Sequence, residues 1–119
     1  MAEHNELGKK GEQLAIDFLI KKGYSILDKN YRYLKAEVDI IAQKGEVLAA
    51  IEVKTRSTDY FGNPEEFVNP KKIKLLLSAI DYYVVEKDLD VEVRFDIIAI
   101  IHQNKKTKID HLEDAFLHF

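Results

Sequence analysis

The sequence predicts an α/β fold in which helices flank a mixed β-sheet core. Two stretches carry apolar residues at helical spacing, and strand-like segments follow each of them. Two further segments, Val47–Ile51 and Ile97–Ile101, are continuously apolar, which is typical of strands buried on both faces of a sheet. With 119 residues, of which 46% are hydrophobic, the chain predicts one globular domain over residues 1–119.

Composition and charge exclude several classes of protein. The chain has no cysteine, which excludes a disulfide framework and a thiolate metal site and favours a reducing compartment, the cytoplasm. The polar N-terminus has no apolar core segment, so we expect neither a signal peptide nor a membrane partner. A formal net charge of −3 argues against a sequence-independent nucleic-acid coat protein. It is compatible with a nuclease, because bound divalent metal offsets a cluster of acidic ligands.

The first helix is predicted near residues 5–22. Cationic side chains and then a glycine at Lys21–Gly23 are typical of a helix end. Glu12 lies at the flank of the apolar face, so it is either a solvated boundary residue or a functional one. The residues predicted to form that face are Leu7, Gly11, Leu14, Ala15 and Phe18.

The next part of the chain predicts strands joined by turns. Gln43–Glu46 contains a glycine and suits a β-hairpin between two strands. Asp28–Asn30 has the composition of a turn. The predicted strands around these turns are Tyr24–Leu27, Tyr31–Tyr33 with Lys35–Ala42 as its continuation or the next strand, and Val47–Lys54.

A loop is predicted over residues 55–66, and Asn69–Pro70 has the signature of a helix start. The helix is expected to run to about residue 86, with an apolar face formed by Ile73, Leu76, Leu77, Ile80 and Val84. Three lysines, Lys71, Lys72 and Lys74, crowd its first turn, where the helix dipole disfavours cations. They form either a solvated charged face or a phosphate-binding site.

The C-terminal part predicts another strand. Val91–Ile101 changes from alternating to fully apolar, as expected of a strand that enters the middle of a sheet. Gln103–Lys108 predicts a polar turn, and the short tail Ile109–Phe119 leaves its structure open.

Charged residues interrupt the end of the predicted strand Val47–Lys54, after its apolar run. Because side chains alternate along a strand, Glu52 and Lys54 share one face. Upstream, Glu37 and Asp39 likewise share a face. Folding the hairpin brings Asp39 towards Glu52 on the neighbouring strand, with Lys54 beside them.

Two carboxylates and a lysine at this spacing favour phosphodiester hydrolysis. Mg²⁺, or Mn²⁺ in its place, needs only a few carboxylate ligands because it keeps several waters, and the carbonyl of Val53 is a further candidate ligand. A neighbouring lysine can orient the water and hold the phosphate. The alternative is a structural ion pair, which explains Glu52 and Lys54 better at a sheet edge than at the end of a central strand.

The motif and most of the chain resemble a known group of proteins. Asp39 with Glu52-Val53-Lys54 resembles the motif of the PD-(D/E)XK nuclease superfamily, which has the restriction-endonuclease-like fold. The whole chain resembles, more narrowly, the YraN family of small bacterial proteins. Ala36 departs from the glycine expected before the Glu-x-Asp segment. The matching segments are Gly8–Glu12, Lys22–Leu27, Asn30–Arg32, Glu37–Ala42, Ile51–Arg56, Ala79 with Tyr82, and Arg94–Asp96.

The resemblance implies a role for each residue of the motif. It implies metal ligation by Asp39 and Glu52 and a catalytic role for Lys54. Glu12 matches the first-helix glutamate that joins the metal site in archaeal Holliday-junction resolvases of the superfamily. The expected activity is Mg²⁺-dependent endonucleolytic cleavage of DNA, with branched DNA as a candidate substrate. A catalytically silent DNA-binding or adaptor module with the same fold remains the alternative.

A basic surface and a dimer complete the expectations. Arg56 and the lysines Lys71, Lys72 and Lys74 are expected to line a groove that contacts phosphates without reading bases. Duplex or branched DNA is the expected partner. A two-fold homodimer would present two such sites to it.

Overall fold

The computed structural model describes residues 2–56 and 70–115, with side chains from residue 9 onward. It confirms the α/β fold class: five strands form one sheet in the order β1-β2-β3-β4-β5. All neighbouring strands are antiparallel except β3 and β4, which are parallel, so the sheet is mixed. The elements are α1 (Ala2–Lys21), β1 (Ser25–Tyr33), β2 (Ala36–Lys44), β3 (Val47–Arg56), α2 (Pro70–Glu86), β4 (Glu92–Gln103) and β5 (Lys106–Leu112).

Each face of the sheet is covered by one helix. Residues of α1 pack with Ala49 and Ile51 of β3, and residues of α2 pack with Leu48 and Ala50 of the same strand. The third strand is therefore buried on both faces, as its apolar sequence predicts. A mixed sheet between helices is the arrangement that the resemblance to restriction-endonuclease-like nucleases implies. Neither helix within the described ranges is long and apolar enough to cross a membrane.

Among the side chains that the structure describes, the predicted apolar face of each helix is wrong at one residue, and the side chain of Leu7 lies outside that set. Leu14 is 37% exposed and Leu77 is 49% exposed. Both lie at the margin of a helical stripe, where the 3.6-residue period leaves the choice of face open by one position. The fully buried positions include the predicted Gly11, Ala15, Leu76 and Ile80, and add Leu19 on α1 and Ala79 and Tyr83 on α2.

The predicted turn at Asp28–Asn30 is wrong, because β1 is a single continuous strand through Tyr33. The turn-like residues Asp28–Asn30 lie within the strand, where its pairing is irregular. The pairing of β1 with β2 shifts register between Ile26 and Asp28, and Asn30 has a φ of 53°. Asparagine tolerates this left-handed conformation better than most residues, so a sequence typical of a turn is accommodated inside a strand.

The two remaining turns close hairpins. Lys44 pairs with Val47 across the predicted hairpin, in which Gly45 has a φ of 62°, so that prediction is confirmed. In place of the polar turn predicted at Gln103–Lys108, only Asn104 and Lys105 form the turn. Residues 109–112 of the tail left open by the sequence belong to the edge strand β5, and residues 116–119 lie outside the described part of the chain.

The second helix begins where the sequence predicts. Pro70 is its first residue, and Asn69 lies outside the described residues. Of the predicted loop 55–66, Thr55 and Arg56 belong to β3, and residues 57–66 lie outside the described part of the chain.

Candidate active site

The candidate site lies where β2 and β3 separate. Their last paired residues on this side are Ile40 and Ile51, and the same register would place Asp39 opposite Glu52. The ladder ends there, and Oδ2 of Asp39 accepts a hydrogen bond of 2.8 Å from the backbone N–H of Val53. A side-chain oxygen thus replaces a backbone acceptor at the end of the central strand. The structure confirms that the hairpin brings Asp39 to the Glu52–Lys54 strand.

Asp39 lies at an irregularity of β2. Val38 packs on the α2 side of the sheet and Ile40 packs on the α1 side, although residues two apart in a regular strand share a face. Lys29–Ile40 and Tyr31–Val38 are paired, so Asp39 is opposite Asn30, the residue with positive φ. The irregular backbone of β1 at Asn30 therefore lies directly beside the candidate catalytic carboxylate of Asp39.

Only one carboxylate oxygen of Glu52 contacts the neighbouring lysines. Its Oε1 lies 3.1 Å from Nζ of Lys54 and 2.5 Å from Nζ of Lys72. Its side chain is 13% exposed. Its other oxygen, Oε2, is buried and has no hydrogen-bond partner among the described residues. A buried carboxylate oxygen without a partner is costly, so this atom is suited to bind a ligand that supplies positive charge.

Burial and neighbouring negative charges raise the pKa of Asp39 above its ordinary value. Burial raises the pKa of Asp39 to about 6, although the hydrogen bond from Val53 lowers it. The negative charges of Glu52, Glu12 and Glu37 also contribute to this rise, in that order. Carboxylates that repel one another in a half-buried site favour a shared cation.

An open pocket gives access to these groups. It has a volume of about 250 Å³ and lies between the start of β2, the end of β3 and the first turns of α2. Both candidate carboxylates reach it, so the pocket holds polar acceptors beside an apolar wall. The lining residues are Lys35, Ala36, Glu37, Asp39, Glu52, Lys72, Leu75 and Leu76.

Glu12 approaches the site from the α1 side. It is half-buried and close enough for its charge to raise the pKa of Asp39. The approach depends on Gly11, because a Cβ atom there would clash with Oγ1 of Thr55 at the end of β3. The line of Glu12 along α1 also contains Ala15 and Leu19, which are fully buried. Glu12 therefore lies half-buried on α1 with its charge close to Asp39, and its functional role stays a prediction.

The donor set fits a magnesium-class ion. In the part of the chain that the structure describes, no three His, Asp or Glu side chains converge closely enough to hold a metal. Asp39, Glu52 and the Val53 carbonyl remain as hard oxygen donors at one strand end. Mg²⁺ is bound by one or two carboxylates with waters completing its octahedron. The partnerless Oε2 of Glu52 and the raised pKa of Asp39 both point to such a cation.

Sequence comparison places the chain among known proteins. Residues 11–100 match the profile of Uncharacterised protein family UPF0102. The chain belongs to this family. A UPF0102 protein of Christiangramia forsetii is 64% identical and one of Flavobacterium psychrophilum is 59% identical, each over the full length of both chains. A UPF0102 protein of Thermodesulfovibrio yellowstonii is 50% identical over 93% of this chain and 96% of its own. The resemblance to the YraN family is thereby confirmed.

In this UPF0102 protein, the predicted basic residues divide into two groups. Lys72 lines the pocket and contacts Glu52, so it belongs to the candidate site itself. Arg56, Lys71 and Lys74 are exposed, and the Arg56 guanidinium donates a hydrogen bond to the carbonyl of Thr55. Sequence reasoning assigned all four to one groove and missed the contact of Lys72 with Glu52. No sequence signal marks that contact, because 20 residues separate the two side chains.

A second charged cluster of this UPF0102 protein lies under α1. Asp96 is fully buried and accepts two hydrogen bonds of 2.9 Å from Arg94. His111 Nε2 lies 2.8 Å from Asp96, and its Nδ1 lies 2.9 Å from Nζ of Lys22. Because an ammonium group only donates, Nδ1 accepts and Nε2 donates to Asp96. Burial raises the pKa of Asp96, but the bonds from His111 and Arg94 outweigh it, and the net shift is downward.

This buried cluster is structural and was not recognised as such in the sequence. Arg94–Asp96 was noted only as a segment of the family resemblance. The available signal was Asp96 itself, a carboxylate directly before the apolar run Ile97–Ile101. His111 could not be found from the sequence, because it lies in the tail whose structure was left open.

Proposed function

We propose that this protein is a metal-dependent endodeoxyribonuclease that hydrolyses phosphodiester bonds of DNA in the cytoplasm. The observation that carries the proposal is the meeting of Asp39 and Glu52 at the open end of a central strand, with Lys54 bound to Glu52. Two carboxylates and an ammonium group in an accessible pocket are the set that this chemistry requires.

The metal site would use the oxygen donors of β2 and β3. Asp39, Glu52 and the carbonyl of Val53 would hold Mg²⁺ or Mn²⁺, and Glu12 would reach the same ion through a water molecule. The bound ion would polarise the phosphate and activate a water molecule. The hydrogen bond from Val53 fixes one carboxylate relative to the other before any ligand arrives, so the site needs little rearrangement.

The lysines would act on the phosphate. Lys54 lies on the same face of β3 as Glu52, and Lys72 reaches the same carboxylate oxygen from α2. Two ammonium groups beside the metal position can bind the non-bridging phosphate oxygens. They would stabilise the negative charge that develops as the phosphodiester bond breaks.

The substrate would be duplex or branched DNA held through its backbone. Arg56, Lys71 and Lys74 are exposed near the end of β3 and the start of α2, which are the elements that carry the site. Such contacts position DNA without reading its sequence. A two-fold homodimer would present two sites to a branched substrate. Sedimentation velocity tests this assembly, and a monomer with full activity would contradict it.

One observation favours a catalytically silent DNA-binding module instead. Lys54 and Lys72 already place two positive charges on Glu52, which lowers the gain from metal binding there. The nuclease remains the better supported function, because Oε2 of Glu52 still has no partner within the described residues.

Nicking of supercoiled plasmid separates the two functions. The nuclease should nick DNA with Mg²⁺ or Mn²⁺, should stop with EDTA, and should lose its activity in Asp39→Asn. The control Glu46→Gln removes an exposed carboxylate from the hairpin turn and should nick like the parent protein. DNA binding without metal-dependent nicking would establish the silent module and contradict the nuclease.

A further inference from the structure

A stacked pair of tyrosines with a leucine at the adjoining hairpin tip lies beside the candidate active site. The rings of Tyr33 and Tyr82 are stacked, with centroids 4.4 Å apart and planes at 25°. Tyr82 is nevertheless 45% exposed, so the pair retains accessible surface. We call Tyr33 and Tyr82 the tyrosine platform.

Leu34, the residue after Tyr33, is the most exposed large apolar side chain of the described residues. It is 84% exposed and has a φ of 55°. Leucine rarely adopts this left-handed conformation, and an apolar residue at an exposed turn gains nothing from burial. Folding alone therefore does not account for a leucine at this position.

The platform and Leu34 are continuous with the catalytic pocket. Tyr33 pairs with Ala36, which lines the pocket, and Lys35 in the same turn lines it too. On α2, Tyr82 follows the pocket residue Leu76 by six positions, or about 9 Å along the helix axis. That spacing corresponds to about three stacked bases, at about 3.4 Å per base along one strand.

We propose that the tyrosine platform and Leu34 bind an unpaired nucleobase about three nucleotides from the phosphodiester that is cleaved. The inference rests on the proposed nuclease function and specifies its substrate: DNA with unpaired nucleotides, such as the single-stranded arms of a fork. The exposed tyrosine surface offers a stacking face for the base, and Leu34 inserts at the end of the duplex. Lys35 lies two residues after Tyr33 and lines the pocket, where it would contact the intervening phosphates.

The composition of the site favours this occupant. Binding of single strands combines aromatic stacking with cationic side chains along the backbone. Tyr82 supplies the stacking surface, and Lys35 and Lys72 supply the cations within the same pocket region. A blunt duplex has no unstacked base to offer, so its affinity should not depend on the tyrosines.

The test measures binding of a forked DNA and of a blunt duplex with the same paired sequence, by fluorescence anisotropy in EDTA. Tyr82→Leu keeps an apolar group on Tyr33 but removes the aromatic face, and Leu34→Asn keeps a residue that tolerates positive φ. Each should weaken binding of the fork about tenfold and leave the blunt duplex unchanged. Two control variants should bind like the parent: Tyr82→Phe, which keeps the ring, and Ile20→Asn, which changes an exposed apolar residue on the opposite helix.

A fluorescent base reports stacking directly. A 2-aminopurine at the first unpaired position of the fork should be quenched by the parent protein and by Tyr82→Phe, and not by Tyr82→Leu. Unchanged fork binding in Tyr82→Leu and Leu34→Asn, or equal losses on both DNAs, would overturn the platform alone. Fork binding that depends on Tyr82, without plasmid nicking, would instead contradict the nuclease function and support base binding by the tyrosine platform. A parent protein that binds neither DNA would overturn both.

Discussion

The carboxylate of Asp39 accepts a 2.8 Å hydrogen bond from the backbone N–H of Val53, just beyond the last paired residues of β2 and β3. This bond fixes one candidate metal ligand to the backbone that carries the other, Glu52. It also occupies only one oxygen of Asp39, so the second oxygen can serve a ligand. The geometry of the site therefore depends on backbone structure more than on flexible side-chain contacts.

The raised pKa of Asp39 predicts how stability depends on pH. In metal-free protein the folded-state pKa of about 6 exceeds the ordinary value of 3.8, so the folded state keeps a proton that the unfolded state releases. The contribution of this group to stability is then present below pH 3.8 and lost as the pH rises to about 6. Asp39→Asn should raise the free energy of unfolding by about 1–3 kcal/mol at pH 7.5, with a smaller gain at pH 5.

Urea unfolding in EDTA at the two pH values measures this effect. Glu46→Gln is the control, because it neutralises an exposed carboxylate of the same hairpin and should change stability little. An Asp39→Asn protein with parental stability at both pH values would show that ionised Asp39 does not destabilise the folded state.

Metal affinity should depend on both carboxylates. Asp39→Ala/Glu52→Ala removes the two side chains with hard oxygen donors, and Mn²⁺ affinity measured by calorimetry should fall at least tenfold. Asp81→Ala/Asp110→Ala removes two exposed carboxylates and so controls for net charge. Equal Mn²⁺ affinity in the parent and in the site variant would eliminate the proposed metal site.

Asp96 should be essential to stability rather than to chemistry. Asp96→Asn removes the buried ionic partner of Arg94, leaves it only the more exposed Glu113, and should cost about 3–5 kcal/mol in chemical unfolding. Asp110→Asn, which breaks the exposed contact with Lys108, should cost less than about 1 kcal/mol. Because the pKa of Asp96 is lowered, its contribution is present above pH 3.8 and is lost as the pH falls through its folded-state pKa. Similar costs for the two substitutions would contradict the structural role.

The exposed lysines at the start of α2 should bind DNA without sequence preference. Lys71→Glu/Lys74→Glu should weaken binding about equally for unrelated sequences and flatten its dependence on salt, because fewer counterions are released. Lys21→Glu/Lys87→Glu changes charge equally at the C-terminal ends of the two helices and is the control. Unchanged binding, or a loss confined to one sequence, would refute a backbone-contacting surface.

The sequence predicted the core of the site because local rules were strong there. Gly45 permits the hairpin that brings Asp39 to β3, and the apolar run before Glu52 marks a strand buried on both faces. Charged residues that break such a run are conspicuous, so Glu52 and Lys54 could be identified from their positions alone. The family resemblance added Glu12, which the structure places on the buried side of α1.

Tertiary contacts decided what the sequence could not. Lys72 joins Glu52 and His111 joins Asp96 only after α2 and β5 have packed, and no periodicity relates these positions. Asn30 was assigned to a turn because its preference for positive φ is the same in a turn and in a strand irregularity. Pairing with β2 along the whole of β1 favours the strand.

The most direct test of the nuclease site is the rate of plasmid nicking in Mn²⁺ by Lys54→Met relative to the parent protein. Methionine keeps the length and apolar stem of the side chain but removes the charge that would stabilise the transition state. We predict a loss of at least about 100-fold with Mn²⁺ binding retained, while Lys44→Met, at the exposed end of β2, nicks at the parental rate. Lys54→Met protein that nicks DNA as fast as the parent would contradict the proposed mechanism.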